Sequence, residues 1–168
     1  MQFQVRPSTQ ADMAAVDALL ARVYPKLLKA DYPPSVLVTA LPRISRAQPE
    51  LMGCGTYYVA ETRDGRILGA GGWTSDRKVR GLGHIRHVVS DDRFLRRGVA
   101  RAIIGHALDT ARLAGMSAME CWSTRTAEPF YHAMGFETIG PIDVPLGDGI
   151  SFPSLRMHRR LPGASTMP

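Results

Sequence analysis

The sequence predicts a mixed α/β layer structure, in which helices pack on a β-sheet. Short runs of β-branched and aromatic residues alternate along the chain with segments whose apolar residues recur every three to four positions. A chain of 168 residues is long enough to bury the core of one domain. We therefore expect a single domain over residues 1–161 and a disordered tail over residues 162–168.

The N-terminal half is predicted to contain a strand, two helices and a β-hairpin. Thr9 and Asp12 have the spacing of a capping box at the start of the first helix. Pro34 suits the first turn of the second helix, and Asp64-Gly65 is a typical hairpin turn. The predicted elements are a strand at 3–6, a helix from Thr9 through Val23, a helix over 34–47, and strands over 56–61 and 67–73.

The C-terminal half is predicted to continue the alternation of strands and helices. Gly115 and Gly135 are placed to end two helices. A segment rich in Pro and Gly, residues 141–153, is predicted to be a loop between the last two strands. The predicted elements are a polar loop at 74–81, a strand at 82–90, a helix ending near 114, a strand at 118–123, a short helix at 127–134, and strands at 136–139 and 154–158.

The turn between the strand at 82–90 and the following helix is a candidate anion site. It reads Leu95-Arg-Arg-Gly-Val-Ala-Arg101. The first N–H groups of a helix are free and lie at the positive end of its dipole, where phosphates bind. The segment Arg77–Arg101 holds eight Lys or Arg against two Asp, which equals the whole net charge of +6. This favours a phosphate-bearing ligand over the alternative of a solvated Arg-rich face.

Several other classes of site are disfavoured. Cys54 and Cys121 form neither a disulfide framework nor a metal motif. His84 and His87 point to opposite faces of a regular strand and so cannot easily share a metal ion. The absence of a signal peptide, and of an apolar stretch of about 18 residues, indicates a cytoplasmic protein without a membrane partner.

Nucleotide and nucleic-acid binding motifs are also missing. The Gly69–Gly72 run is followed by Trp73-Thr-Ser-Asp76 rather than a helix, so the dinucleotide fingerprint fails. The basic segment has only Phe94 as an interleaved aromatic residue. We therefore expect no nucleic-acid partner, although a basic segment that binds nucleic acid is the rival interpretation.

Two motifs resemble those of the GNAT N-acetyltransferase superfamily. The turn resembles the last four positions of Gln/Arg-x-x-Gly-x-Gly/Ala, with Leu95 in place of the usual first residue. The second motif resembles Asn-x-x-Ala-x-x-Phe-Tyr-x-x-x-Gly-Phe, with Thr124 in place of Asn. Its matching residues are Ala127, Phe130, Tyr131, Gly135 and Phe136. The resemblance implies a GNAT fold: a mostly antiparallel central sheet, flanked by helices, in which two adjacent parallel strands splay apart.

The same resemblance implies acetyl-CoA as cosubstrate, with no metal. The pantetheine arm is expected to pair with the strand residues Val88, Val89 and Ser90, and the N–H of Val88 to stabilise the developing oxyanion. The pyrophosphate is expected on the backbone of the turn. The expected cosubstrate-binding residues are Val88, Val89, Ser90, Arg96, Arg97, Gly98, Val99, Ala100, Arg101 and Thr124.

Two side chains are predicted to move protons. Tyr131 matches the family tyrosine that protonates the departing thiolate; the alternative is a tyrosine packed in the core. His84 matches the family position of the base, and an ordinary histidine pKa near 6.5 suits that task. The alternatives are a histidine bonded to a neighbour, or deprotonation through ordered water. Regular alternation places His84, Arg86, Val88 and Ser90 on one face and Ile85, His87 and Val89 on the other.

The function predicted from this resemblance is transfer of an acetyl group to a primary amine by direct attack, the acceptor being a small molecule. The rivals are an acyl-CoA sensor without turnover, a different acyl group, and a protein or peptide amine. A homodimer is left open. Cys121 is interpreted as a structural thiol rather than an acetyl carrier. Acceptor specificity is expected to depend on three segments, namely residues 24–41, 74–81 and 141–153.

Overall fold

The computed structural model describes residues 2–94 and 97–163, and in it seven strands form one sheet in the order β1-β2-β3-β4-β5-β7-β6. Leu95, Arg96 and residues 164–168 of the predicted tail lie outside the described residues. The strands are β1 (Phe3–Pro7), β2 (Tyr57–Thr62), β3 (Ile67–Ser75), β4 (Leu82–Ser90), β5 (Ala118–Ser123), β6 (Glu137–Gly147) and β7 (Ile150–Arg160). The helices are α1 (Met13–Leu28), α2 (Pro34–Ile44), α3 (Pro49–Met52), α4 (Val99–Leu113) and α5 (Glu128–Ala133).

The sheet has one parallel pair of neighbours, β4 and β5, among the paired strands of the described ranges. These two strands pair only at their starts, where Leu82–His84 faces Ala118–Glu120. The remainder of β4 has no pairing with β5, so the two strands diverge. This confirms the predicted fold class, including the splayed parallel pair.

Helices cover both faces of the sheet. On one face, α1 and α2 bury apolar residues such as Leu20 and Ala40 against Val59 and Val89. On the other face, α4 packs through Ile104 against the second core. Full burial of a Leu or Ile side chain contributes about 1.5–3 kcal/mol, so these two cores hold the sheet in place between the helical layers.

The predicted Pro/Gly-rich loop at 141–153 is wrong. Residues 137–160 form a long β-hairpin, whose turn residues Asp148 and Gly149 have φ values of 54° and 74°. Two consecutive positive φ values are what a two-residue hairpin turn requires, and Asp-Gly is its usual sequence. Pro141 and Pro145 are tolerated because β6 is the edge strand, where a missing N–H need not break the sheet.

The remaining differences are small. Helix α2 ends at Ile44 instead of reaching residue 47, β3 extends to Ser75, and the short helix α3 has no counterpart in the prediction. Helix α1 continues through Pro25 to Leu28. The predicted capping interaction is present, since the backbone N–H of Thr9 donates to Asp12 Oδ2 at 2.8 Å.

Candidate functional site

A cavity of about 580 Å³ opens where β4 and β5 diverge. It runs from the start of α4 to the α1–α2 layer and the β6–β7 hairpin. The structure brings nine of the predicted site residues to its wall, while His84 and Arg97 do not line it and Arg96 lies outside the described residues. Those nine are Val88, Val89, Ser90, Gly98, Val99, Ala100, Arg101, Thr124 and Tyr131.

The N-terminus of α4 forms one end of this cavity. Its cap residue, Gly98, has φ 77°, a left-handed conformation that glycine adopts without a steric penalty. A Cβ atom built on Gly98 meets nothing within 4 Å, so a side chain there would project into open space. The first N–H groups of a 15-residue helix lack intrahelical partners. This end of the cavity therefore has the free donors and the positive dipole that a phosphate requires.

The basic segment singled out in the sequence does not form one patch. Arg80 lies beside Leu82 and Ala118, at the paired end of β4 and β5. Arg101 lines the cavity near the opposite end of β4. The two ends of a nine-residue strand such as β4 are about 26 Å apart. Asp91 pairs with Arg22 and Arg93, which neutralises part of the charge near the cavity. Among the described residues, the candidate anion site is thus the helix terminus together with Arg101, and not the whole segment.

A β-bulge changes the faces of β4. Arg86 pairs with Gly72 and Val89 with Ala70, so His87 and Val88 together face the single residue Gly71. His87 has φ 48°, and its side chain bonds to Ile44 of α2. The predicted face assignment is therefore wrong beyond Arg86. Arg86, His87 and Val89 face the α1–α2 layer, whereas Ile85 and Val88 face α4.

Two tyrosine hydroxyls hold this bulge in place. Tyr24 donates to the carbonyl oxygen of Val88 at 2.7 Å, and Tyr57 donates to that of His87 at 2.6 Å. Burial raises the pKa of both hydroxyls, so they remain donors. A left-handed conformation costs a residue with a side chain about 1–2 kcal/mol, which these buried hydrogen bonds help to offset.

Tyr131 lies on the cavity wall with 5% of its surface exposed. Its ring packs edge-on against Phe130 and Phe136, with centroids 5.1 and 5.6 Å away. Burial is the main cause that raises the pKa of its hydroxyl well above the ordinary value, so the phenol carries its proton at neutral pH. It is thus able to donate a proton within the cavity.

Cys121 lies with Tyr131 on the cavity wall and in the same apolar cluster. Burial raises the pKa of its thiol to about 12, which keeps the sulfur protonated and weakly nucleophilic. Thr124 also lies on the wall, where its Oγ1 accepts from the N–H of Ala127 at 3.1 Å. The Thr124 hydroxyl therefore still has a proton to donate to a ligand.

His84 lies in a network of charged groups at the paired end of β4. Its Nε2 is 2.7 Å from Asp76 Oδ1, and its Nδ1 is 3.7 Å from Glu120 Oε2. Glu120 in turn bonds to Arg156. Both ring nitrogens of His84 thus face carboxylates. Its ring lies edge-on to that of Trp122, a residue of the cavity wall, with the ring centroids 6.0 Å apart.

His87 is the imidazole that lines the cavity. Its Nε2 lies 2.8 Å from the carbonyl oxygen of Ile44, which can only accept, so Nε2 carries the proton. Its buried Nδ1 has no partner within residues 2–94 and 97–163. Burial lowers the pKa of the ring, which keeps Nδ1 free as an acceptor. The sequence did not identify His87 as a site residue, because regular alternation along the strand predicts that its side chain faces away from those of His84 and Arg86.

A family model for the acetyltransferase (GNAT) domain matches residues 30–158. The chain belongs to the GNAT acetyltransferase family. The match spans both sequence motifs and every wall of the cavity except α1, and it supports acetyltransferase activity in general terms. No curated protein sequence matches the chain.

Solved structures of other GNAT proteins share this fold at low sequence identity. A GCN5-related N-acetyltransferase from Rhodopseudomonas palustris superposes with a TM-score of 0.78 at 18% identity, covering 96% of this chain and 97% of that one. The PaiA N-acetyltransferase of Thermoplasma acidophilum, in complex with coenzyme A, superposes with a TM-score of 0.73 at 10% identity. This match covers 96% of this chain and 100% of that one. The N-acetylglutamate synthase of Neisseria gonorrhoeae, complexed with coenzyme A and N-acetyl-glutamate, superposes with a TM-score of 0.67 at 17% identity. This match covers 96% of this chain but only 35% of that one.

Two further observations concern partners of this family member. In the part of the chain that the structure describes, no group of three or more His, Cys, Asp or Glu side chains is placed to hold a metal ion. Nor is any described helix long and apolar enough to cross a membrane.

Proposed function

We propose that this GNAT protein transfers the acetyl group of acetyl-CoA to a primary amine of a small molecule by direct attack. One observation carries the proposal: a single cavity joins the free N-terminus of α4 to the buried phenol of Tyr131. An anion-binding end and a protonated acid in one enclosed space suit a phosphate-bearing thioester.

The residues on the wall suit the parts of acetyl-CoA. The backbone N–H groups of Gly98–Arg101 would hold the pyrophosphate, with Arg96 and Arg97 as the predicted remainder of that turn. The unpaired edge of β4 at Val88–Ser90 would pair with the pantetheine amides, and Thr124 would donate its hydroxyl hydrogen. The N–H of Val88 would stabilise negative charge on the thioester oxygen during attack.

The reaction needs an acid and a base. As the amine nitrogen forms its bond to the acetyl carbon, the carbon–sulfur bond breaks and the thiolate takes the proton of Tyr131. The proton that the nitrogen sheds on becoming an amide returns to the phenolate. The ammonium form of the acceptor must first give up a proton, since it has no lone pair for the attack. His84 is the base predicted by sequence, and His87 is a second candidate, favoured because its free Nδ1 belongs to a cavity residue.

The cavity is bordered by α2 and by the β6–β7 hairpin, which supports a small molecule over a protein substrate. Ile44 of α2 and Leu146 of β6 both line it. Arg43 fastens these two elements together, donating to Asp148 Oδ2 at 2.7 Å and to the carbonyl of Leu146 at 3.1 Å.

The proposal is tested by calorimetric titration with acetyl-CoA and by a turnover screen. We expect a dissociation constant in the micromolar range, about −8 kcal/mol, and release of free CoA in the presence of amino acids, polyamines or aminoglycosides. Absence of acetyl-CoA binding would overturn the proposal. Binding without turnover would indicate an acyl-CoA sensor, turnover of peptide N-termini alone would indicate a protein acceptor, and faster turnover of longer acyl-CoAs would indicate another acyl group.

A further inference from the structure

Arg86 is a partly buried cation on the cavity wall, and residues 2–94 and 97–163 supply no ion-pair partner for it. Its Nε donates to Thr74 Oγ1 at 2.8 Å. No carboxylate in the described ranges lies within ion-pairing distance, so the outer N–H groups of the guanidinium have no protein acceptor there. Burial lowers the pKa of Arg86, yet an arginine remains charged at any physiological pH. A partly buried guanidinium without an ion pair is suited to a ligand that supplies the counter-charge.

The acidic side chains around Arg86 are already paired with other groups. Asp76, which attracts Arg86 through space, bonds to His84 and to the backbone N–H groups of Lys78 and Val79. Glu120 bonds to Arg156. Both carboxylates are thus bonded to His84, Arg156 or backbone N–H groups at the paired end of β4, and neither forms an ion pair with Arg86.

The pyrophosphate of acetyl-CoA is too distant to be the missing anion. Arg86 precedes Ser90 by four residues, which is about 13 Å along a strand. The start of α4 lies beyond Ser90 at the far end of the cavity. The missing counter-charge therefore belongs at the acceptor end.

The bulge at His87 places two complementary groups side by side. It turns the side chains of Arg86 and His87 to the same face, where a regular strand would separate them. Because their Cα atoms are only about 3.8 Å apart, both side chains belong to the same part of the cavity wall. The wall of the same cavity also carries apolar residues, among them Leu27, Val144, Leu146 and Phe152.

We propose that the acceptor is an amino acid with an apolar side chain, whose carboxylate binds the guanidinium of Arg86 and whose amino group lies at Nδ1 of His87. This inference rests on the proposed acetyl transfer and specifies its substrate class. Arg86 acts as the specificity-determining residue, and its bidentate geometry suits a carboxylate.

Matched substrate pairs test this directly. The initial rate with saturating acetyl-CoA is measured for leucine, phenylalanine, methionine and valine, each beside its carboxamide. The carboxamide keeps the shape of the amino acid and removes the negative charge of the carboxylate. Its ammonium group is more acidic, so more of it is present as the reactive free amine, which favours the carboxamide and works against the proposal. We expect at least one acid to exceed its amide about 100-fold in kcat/KM, an effect typical of a charged hydrogen bond in a site shielded from water.

Substitutions then assign the preference to Arg86. In Arg86→Gln the advantage of the acid should shrink to within about threefold, chiefly through KM, while Arg86→Lys should keep part of it. Arg112→Gln is the control, because Arg112 lies exposed in the last turn of α4 and does not line this cavity, and the preference should persist there. The inference is overturned if no acid is preferred in any pair, or if the preference survives in Arg86→Gln.

A binding measurement separates this inference from the proposed function. The CoA-loaded protein is titrated calorimetrically with the same four acids and amides. If the wild-type protein binds an acid and Arg86→Gln does not, the result supports the inference even where turnover is absent. Binding of CoA with turnover of amines that lack a carboxylate, and none of amino acids, overturns it while leaving acetyl transfer intact.

Discussion

The two histidines of β4 lie three residues apart and have opposite surroundings. His84 has a carboxylate near each ring nitrogen, and it lies where β4 still pairs with β5. His87 has one nitrogen bonded to a carbonyl and one without a partner in the described ranges, and it lies where the strands have diverged. We refer to these regions as the closed end and the open end of the strand pair.

The difference shows how a single sheet separates stability from ligand binding. At the closed end, neighbouring side chains satisfy the polar groups, so those groups hold the strands together. At the open end, donors and acceptors remain for a ligand, among them the α4 terminus and the Arg86 guanidinium. We therefore expect substitutions at the open end to affect binding and rate, and substitutions at the closed end to affect stability.

The largest expected effect is from Gly98→Glu at the open end. A carboxylate in front of the α4 N–H groups repels the pyrophosphate and fills its space. The affinity for acetyl-CoA should fall at least about 1000-fold, or about 4 kcal/mol, as measured by calorimetry. Gly105→Glu is the control, since Gly105 lies in the same helix with nothing near its Cβ position, and its affinity should not change. A folded Gly98→Glu protein with wild-type affinity would refute the assignment of the phosphate site.

Tyr131→Phe keeps the aromatic packing and removes the acidic proton. We expect kcat to fall about 10- to 1000-fold, or about 1.4 to 4 kcal/mol, with little change in acetyl-CoA affinity or melting temperature. Tyr58→Phe serves as the control, because it also loses a hydroxyl, one that donates to Thr110 away from the cavity, and its kcat should stay unchanged. Steady-state kinetics and thermal melting are measured on the same preparations. An unaltered kcat in Tyr131→Phe would make Tyr131 structural.

The pair His87→Asn and His84→Asn tests the comparison itself. Burial lowers the pKa of His87, so its neutral form persists as the pH falls, and wild-type kcat/KM should decline only below about pH 6.5. His87→Asn should lower kcat/KM about 10- to 100-fold and abolish that decline. Asn tolerates the positive φ at this position. If the decline disappears in His84→Asn and persists in His87→Asn, the sequence-based assignment of His84 as the base is the correct one.

The smallest effect is expected at the closed end, from Asp76→Asn. The hydrogen bond from His84, followed by those from the backbone N–H groups of Val79 and Lys78, lowers the pKa of Asp76 to about 2. A lowered carboxyl pKa stabilises the fold above the unfolded-state pKa near 3.9, and this stability is lost as the pH falls towards 2. The melting temperature of wild type should therefore exceed that of Asp76→Asn near neutral pH, and the two should converge by about pH 2. Acetyl-CoA affinity at neutral pH should be equal in both, and a large loss would show that the two ends are coupled.

Features that depend on neighbouring residues in the chain were predictable from the sequence. The β-branched run at 84–89, the glycine at 98 and the helical periodicity after it predicted a strand, a turn and a helix, and the structure contains all three. Tyr131 and Thr124 were predicted from motif register, and both lie on the cavity wall. Their chemical roles stay predictions.

Features that depend on contacts between distant segments were not predictable in this way. Pro141 and Pro145 predicted a loop, but they lie in a strand because β6 is at the sheet edge. The basic segment Arg77–Arg101 looked like one patch, but β4 carries its two ends apart. His87 faces the cavity because Gly72 opposes Arg86 and because the hydroxyls of Tyr24 and Tyr57 hold the bulge.

The sequence by itself determined most of the element types, the family and the position of the glycine that begins α4, because helix periodicity, glycine conformation and motif spacing act over a few residues. The tertiary structure alone decided which side chains share the cavity. A bulge shifts the alternation of a strand by one residue, and its stability comes from hydrogen bonds across 30 and 64 positions of the chain. Those bonds, and not local preference, place Arg86 and His87 on one face and leave His84 among the carboxylates.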